Sequence, residues 1–140
     1  MDPSIWSKLH GAATHFPIAL MVFAALCESA SLLCNEPGRR HSCRFAATVA
    51  MVLGALGSYA AIVTGLVMTR GQMWGHATML RHHQFVWPAF ILATGLATWR
   101  VVTRAEPSPA AAAAQCILVI LTAALMSVAG FWGGELFHEG

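Results

Sequence analysis

The sequence predicts an all-α membrane protein, folded as an up-down bundle of four transmembrane helices. Of its 140 residues, 57% are hydrophobic and only 10% are charged, and the mean hydropathy is +0.63. Soluble domains carry about 25% charged residues. The chain also contains four apolar runs, each close to the ~20 residues that a helix needs to cross the hydrocarbon core of a bilayer.

The four runs form one transmembrane domain over residues 1–140, with helices expected at about 16–34, 45–68, 83–103 and 110–133. A backbone in lipid must satisfy its own hydrogen bonds, so runs of this length are helices. The short connections between them predict that sequential helices are antiparallel neighbours.

The basic residues predict the orientation. The connections after the first and third runs carry five of them, and the opposite side carries three. The positive-inside rule therefore places both termini in the periplasm, in a bacterial inner membrane. The net charge of +2 is small and scattered, which argues against a nucleic-acid partner. The two sets are Arg39, Arg40, Arg44, Arg100 and Arg104 on the inner side, and Lys8, Arg70 and Arg81 on the outer side.

Six of the seven histidines collect at the periplasmic ends of the runs: His10, His15, His76, His82, His83 and His138. Neutral imidazole is a ligand for iron, copper and zinc. Because each helix rises ~1.5 Å per residue, the spacing predicts His15 and His83 at one depth. We expect these two to be the axial pair of a metal or haem. His10, His76 and His138 then form a second layer nearer the water. The alternative for any single histidine is a cap or a head-group contact.

Four further residues are candidates. A carboxylate inside a membrane span is a functional candidate by default, and Glu28 is one; a structural, hydrogen-bonded Glu28 is the alternative. Arg70 and Arg81 could pair with the carboxylates of a bound cofactor. Glu135 lies three residues before His138, a spacing that suits either a ligand pair or an oriented histidine.

Both ends of the chain resemble a bacterial membrane family, domain of unknown function 2231. The segment HGAATHFPIAL is similar to that family's opening H-P-x-x-x-H-F-P-I-A-L, with Gly11 where the family has Pro. The segment GFWGGELFHEG is similar to its closing G-x-x-G-G-E-L. The resemblance singles out His10, His15, Pro17, Gly133, Gly134, Glu135 and His138, and one of His82 and His83.

The resemblance implies a layout similar to small b-type membrane cytochromes. It also implies periplasmic partners, either a c-type cytochrome or a quinoprotein dehydrogenase. The first hypothesis is therefore a protein that binds haem b and transfers electrons between such a partner and membrane quinone. The alternatives are a non-haem copper or zinc protein and a passive membrane anchor. For each of these we expect membrane lipid as a partner and a homo- or hetero-oligomer as the assembly. No motif of a stand-alone enzyme is present, so we expect a redox subunit.

Overall fold

Four long helices make up the computed structural model, which describes residues 5–103 and 107–138 and, for the last two of these, the backbone only. They are α1 (Ile5–Leu33), α2 (Pro37–Met68), α3 (Ala77–Thr103) and α4 (Pro109–His138). Each is long and apolar enough to cross a membrane. The protein is therefore an all-α, four-helix membrane protein, as the sequence predicts.

The helices form a ring in chain order, in which each packs against the next and α4 returns to α1. Neighbours in the ring are antiparallel because the connections are short. At ~1.5 Å per residue the helices measure about 40–48 Å, so they extend beyond the ~30 Å hydrocarbon core at both ends.

All four helices are longer than the apolar runs predict, because a helix continues through the polar interface after its lipid-facing stretch has ended. A first helix over about 16–34 would place Pro17 in its first turn, but Pro17 lies buried inside α1, which begins at Ile5. A fourth helix over about 110–133 would end at Gly133, but α4 continues past Gly133 and Gly134 to His138. The earlier start of α1 makes His10 and His15 helical residues.

The middle of the bundle is a closely packed apolar layer. Met21, Ala24, Met51, Ala93 and Val119, drawn from all four helices, have no exposed surface. Small residues in this layer let the helices approach each other. At Gly54 of α2, for example, an added Cβ would lie 3.1 Å from the Met21 side chain of α1. This layer separates the two ends of the bundle.

The burial pattern of α1 recurs in α3, 72 residues later. The buried positions in the middle of α1 all have buried equivalents at that interval, and each of the four pairs contains an alanine opposite another buried apolar residue. The pairs are Pro17 and Ala89, Met21 and Ala93, Ala24 and Leu96, and Ala25 and Ala97.

A similar pattern relates α2 and α4 at an interval of 68 residues, where six of the seven buried positions of α2 have buried equivalents. The buried pairs are Arg44 and Ala112, Ala47 and Gln115, Met51 and Val119, Gly54 and Thr122, Ala55 and Ala123, and Ser58 and Met126. The α1–α2 hairpin and the α3–α4 hairpin are thus two copies of one arrangement. Because α1 and α3 run in the same direction, the pseudo-two-fold axis that relates the copies is parallel to the helices, as in membrane proteins built from parallel repeats.

Candidate cofactor site

His10 of α1 leans against the neighbouring helix α2. Its Nδ1 lies 3.0 Å from the carbonyl oxygen of Ala61 and 3.2 Å from Oγ1 of Thr64. A carbonyl oxygen can only accept a hydrogen bond, so Nδ1 of the neutral ring carries the proton and donates it to Ala61. The lone pair of His10 is then on Nε2, the nitrogen that remains available to a ligand.

His82 of α3 repeats this arrangement on α4. Its Nδ1 lies 2.8 Å from the carbonyl oxygen of Ala129, and the side chain is buried. Here too the carbonyl fixes the proton on Nδ1 and leaves the lone pair on Nε2. His10 and His82 are equivalent residues of the two hairpins, and so are Ala61 and Ala129.

A glycine makes room for each ring. A Cβ added at Gly65 would lie 2.9 Å from Cε1 of His10, and one added at Gly133 would lie 3.2 Å from Cε1 of His82. Gly65 follows Ala61 by four residues, and Gly133 follows Ala129 by four. Each imidazole therefore rests on a glycine one helical turn beyond the carbonyl that it binds.

The two rings meet near the pseudo-two-fold axis. Their centroids are 6.5 Å apart and their planes are inclined by 85°. His83, next to His82 on α3, is a third imidazole at this place, with its centroid 5.5 Å from that of His82. Nδ1 of His83 is buried and has no hydrogen-bond partner among the described residues. A polar group bound in the volume that His83 lines could therefore supply the missing hydrogen bond to Nδ1.

That volume is a cavity of about 660 Å³ at the end of the bundle where α1 begins and α4 ends, and it is lined by all four helices. Its size lies within the range of small-molecule and cofactor sites, ~300–1,000 Å³. The described residues that line it are mostly apolar, and none is Lys, Arg, Asp or Glu. The lining follows the internal repeat, since His10 and His82, Ala61 and Ala129, and Gly65 and Gly133 contribute to it as pairs.

The remaining predicted histidines are not part of the His10–His82 pair. His15 lines the cavity but is exposed. His76 is exposed, precedes α3, and does not line the cavity. The side chain of His138 lies outside the described residues. The predicted layering, with His15 beside His83 and His10 in an outer layer, thus differs from the arrangement observed, in which His10 pairs with His82. The difference arises because α1 starts before His10, so the ring of His10 is held against α2.

The cavity is not lined by the predicted cofactor-pairing residues Arg70 and Arg81, nor by Glu135. Arg81 is exposed, and its guanidinium lies 4.8 Å from the ring centroid of Trp132 on α4. Arg70 is exposed in the turn after α2, with a φ of 53°. Glu135 is partly buried near the end of α4. The pairing of Arg70 and Arg81 with a cofactor carboxylate therefore stays a prediction.

Glu28 belongs to a separate polar cluster near the inner end. Its side chain is fully buried, and its oxygens lie 3.4 Å from Nη1 of Arg44 and 3.4 Å from Nη2 of Arg100. Arg100 also donates to Oε1 of Gln115 at 2.7 Å. Glu28 and Arg100 are equivalent residues of α1 and α3, as His10 and His82 are. The diagonal helices α1 and α3 thus contact each other at both ends of the bundle, through His10 and His82 at one end and through Glu28 and Arg100 at the other.

Arg100 ties this inner cluster together. Its guanidinium donates to Oγ1 of Thr48 at 2.9 and 3.1 Å and to the carbonyl of Arg44 at 2.9 Å. The cluster therefore joins all four helices. The distances from Arg100 to Glu28, 3.4 and 3.5 Å, are longer than the ~2.7–2.9 Å of a good charge-assisted hydrogen bond. The distances from Arg100 to its neutral acceptors are shorter, at 2.7–3.1 Å. These contacts favour the structural reading of Glu28.

Among the described side chains, those of residues 5–103 and 107–136, no group of three or more His, Cys, Asp or Glu is placed to hold a metal ion. The imidazoles that come together are those of His10, His82 and His83, and in His10 and His82 the bond to a carbonyl leaves the lone pair on Nε2. A protein site of this kind suits a metal whose remaining ligands come with a prosthetic group.

Comparison with known families gives one match. The family model described as "Predicted membrane protein (DUF2231)" matches residues 7–140. The chain belongs to this family. The resemblance inferred from the two terminal segments is therefore confirmed, and the membrane character that the family description states agrees with the four apolar helices. No curated protein and no solved structure matches the chain.

Several groups at this site of the DUF2231 chain were missed from sequence. They are Gly65 and the carbonyls of Ala61 and Ala129. The signal that could have revealed them is the internal repeat. Each hairpin contains a histidine in its first helix and the pattern A-x-x-x-G in its second helix, as Ala61–Gly65 and Ala129–Gly133.

Proposed function

We propose that this protein binds one b-type haem non-covalently between His10 and His82, and that it transfers electrons across the outer part of the membrane. Its partners are a periplasmic redox protein, such as a c-type cytochrome or a quinoprotein dehydrogenase, and the quinone pool. It acts as a redox subunit rather than as an enzyme with its own substrate chemistry.

The observation that carries the proposal is the pair of Nδ1–H bonds to Ala61 and Ala129. Histidines that ligate metals usually donate their other ring N–H to a carbonyl or carboxylate, which fixes the tautomer and the ring orientation. His10 and His82 are both held in this way, on two different helices. This is why we assign the ligand role to them rather than to His15 and His83.

The spacing of the two rings supports one shared metal ion. A metal ion lies ~2 Å from an imidazole nitrogen, so two imidazoles on opposite sides of it have ring centroids about 6 Å apart. The centroids of His10 and His82 are 6.5 Å apart. A haem iron has four ligands from the porphyrin and needs only two from the protein. Two suitable imidazoles are what the described residues offer.

The shape and polarity of the site also fit a porphyrin. The cavity holds about 660 Å³ and is bounded by apolar side chains of all four helices. Imidazoles from facing helices commonly hold cofactors in the cores of helical bundles. The pseudo-two-fold axis passes between the two hairpins, so a metal on that axis would meet an equivalent histidine, carbonyl and glycine from each.

The bound haem would supply one-electron chemistry at its iron. The protein's part is to keep that chemistry to electron transfer. His10 and His82 would both ligate the iron, so that no position on it would remain open for oxygen. Gly65 and Gly133 let the rings approach the helices behind them, and the apolar layer around Met21 and Met51 keeps water from passing to the inner end.

Optical spectroscopy of the protein purified in mild detergent tests the proposal. Loading with haem should give a Soret band that shifts on reduction by dithionite, with the sharp reduced visible bands of a six-coordinate, low-spin iron. A copper or zinc protein would show no such bands. Failure to take up haem with two nitrogen ligands would refute the proposal.

A further inference from the structure

The two hairpins line the cavity with different side chains at equivalent positions. Ile18 of α1 lies against Gly130 of α4, where an added Cβ would be 2.9 Å from Cδ1 of Ile18. On the opposite side of the axis, Phe90 of α3 lies against Tyr59 of α2, with ring centroids 4.8 Å apart. Ile18 and Phe90 are equivalent residues. The α1–α4 contact and the α2–α3 contact are therefore the two equivalent sides of the cavity.

Residues three, four or seven positions from these contacts lie on the same helical faces. When the equivalent residues of the two hairpins are compared at these positions, the residue on the α1–α4 side is in most cases smaller than the one on the α2–α3 side. Named with the α1–α4 residue first, the equivalent pairs that line the cavity are Gly11 and His83, His15 and Trp87, Ile18 and Phe90, Gly130 and Ile62, and Gly134 and Leu66.

The α2–α3 side is closed by this difference. His83 is buried. The ring of Trp87 lies 6.3 Å from that of His83, and its indole N–H donates to the carbonyl of Met73 at 3.1 Å. That bond holds Trp87 across the space between α3 and the turn that precedes it. Leu66 of α2 also lines the cavity on the α2–α3 side.

No side chain that the structure describes fills the α1–α4 side near the start of α1 and the end of α4. A Cβ added at Gly11 or at Gly134 would meet no atom of the described residues within 4 Å. Gly134 and His15 both line the cavity and are exposed. Nearer the middle of the bundle, Ile18 and Gly130 pack closely, so the gap ends there.

We infer that this gap, framed by Gly11, His15 and Gly134, is the passage through which a planar, lipophilic ligand enters the cavity from the membrane. The inference rests on the proposed haem site and adds the route and the direction of the bound group. The edge of the ligand that remains in the passage lies beside His15, whose exposed imidazole can donate a hydrogen bond to a carboxylate there. The opposite edge lies against Trp87 and His83.

Filling the passage tests this route. Gly11→Leu and Gly134→Leu each add a side chain to open space, and leucine favours a helix over glycine by up to about 1 kcal/mol, so neither change opposes folding. Gly95→Leu is the matched control, because Gly95 is exposed on α3, lies outside the cavity lining, and also has no atom within 4 Å of an added Cβ. Helix content by circular dichroism checks the fold of all three variants.

The measurement is the rate at which the Soret band grows when hemin is added to haem-free protein in lipid nanodiscs. We expect the Gly11→Leu and Gly134→Leu variants to load at least tenfold more slowly than wild type, and the Gly95→Leu variant to load at the wild-type rate. Haem introduced during expression should also leave the two passage variants at least tenfold more slowly, as measured by transfer to a soluble haem-scavenging apoprotein.

Wild-type loading rates in the two passage variants would overturn the route and leave the haem proposal standing. So would faster release, because it would mean that the new side chains displace the haem instead of closing its path. If wild-type protein itself takes up no haem with two nitrogen ligands, the proposed function fails, and this is seen before any variant is compared.

Discussion

The ring of His10 lies 6.5 Å from the ring of His82, centroid to centroid, and the two planes are nearly perpendicular. The residues come from diagonal helices, α1 and α3, and each ring is bonded to the helix that follows its own in the chain. The pairing is a product of the internal repeat, since each hairpin contributes one imidazole, one carbonyl and one glycine.

Removal of either imidazole should abolish the six-coordinate haem. In His10→Ala and His82→Ala we expect the low-spin reduced bands to be lost and the haem bound per protein to fall at least tenfold, because only one axial ligand remains. His76→Ala is the control, since His76 is exposed and outside the cavity lining. Optical spectra and pyridine haemochrome assays measure both quantities. A normal spectrum for His82→Ala would assign the ligand to another residue.

His15→Ala separates this ligand pair from the one that spacing predicts. His15 lies at the edge of the cavity and is exposed, so we expect the low-spin spectrum to survive its removal. If His15→Ala and His83→Ala lose the spectrum while His10→Ala keeps it, the pair predicted from spacing is the right one.

Alanine at the glycines beneath the rings should weaken haem binding, though less than the loss of a ligand does. In Gly65→Ala the new Cβ would approach Cε1 of His10 to 2.9 Å, and in Gly133→Ala it would approach Cε1 of His82 to 3.2 Å. Overpacking of this kind lowers the free energy of unfolding by about 1–3 kcal/mol. The higher helix propensity of alanine raises it by up to about 1 kcal/mol. We therefore expect little change in unfolding but a several-fold weaker haem affinity.

Gly95→Ala is the matched control for both glycine variants. Nothing lies within 4 Å of its added Cβ, so haem affinity should stay at the wild-type value while helix propensity improves. Haem titrations and thermal unfolding in detergent provide the comparison. Equal haem affinities in all three variants would show that the rings do not depend on those glycines.

The fold was predictable because lipid leaves few choices. Runs such as Phe45–Met68 can only be helices in hydrocarbon, and their short connections fix the order of the bundle. The helix ends were less predictable. Residues such as Ile5 and His138 lie beyond the apolar runs, where hydropathy no longer distinguishes a helix from a loop.

The site was predictable in composition but not in pairing. The clustering of histidines at one end follows from the sequence, and His10 and His82 were both among the candidates. Which ring nitrogen carries the proton depends on the carbonyls of Ala61 and Ala129. The sequence points to these carbonyls only indirectly, through the repeated A-x-x-x-G pattern. Depth counted from the apolar runs favoured His15, since it did not account for the helix that begins at Ile5.

Orientation in the membrane is a further prediction. Gln72 lies exposed in the turn between α2 and α3, and Ser42 lies exposed near the start of α2. With the termini in the periplasm, Gln72→Cys should react with a maleimide that cannot cross the inner membrane, and Ser42→Cys should react only after permeabilisation. The background replaces the native Cys27, Cys34, Cys43 and Cys116 by Ser. The reverse labelling pattern would invert the topology.

Arg100 should be irreplaceable by lysine even though the charge is kept. Its guanidinium donates to Thr48 and to the Arg44 carbonyl on α2 and to Gln115 on α4, while facing Glu28 on α1. A lysine ammonium is a point charge and cannot reach acceptors spread over three helices. Each buried polar group left without a partner costs about 1–3 kcal/mol, so Arg100→Lys should lower the free energy of unfolding by at least that much.

Arg39→Lys is the control for this change. Arg39 pairs with Glu36 at 3.0 Å, but both side chains are largely exposed, at 81% and 59%, and such pairs contribute about 0–1 kcal/mol. Unfolding of both variants by sodium dodecyl sulfate in mixed micelles measures the difference. Equal stabilities would mean that the inner cluster is not what holds α3 to the other three helices, and that α3 is held instead by the contacts around His82 and the apolar layer.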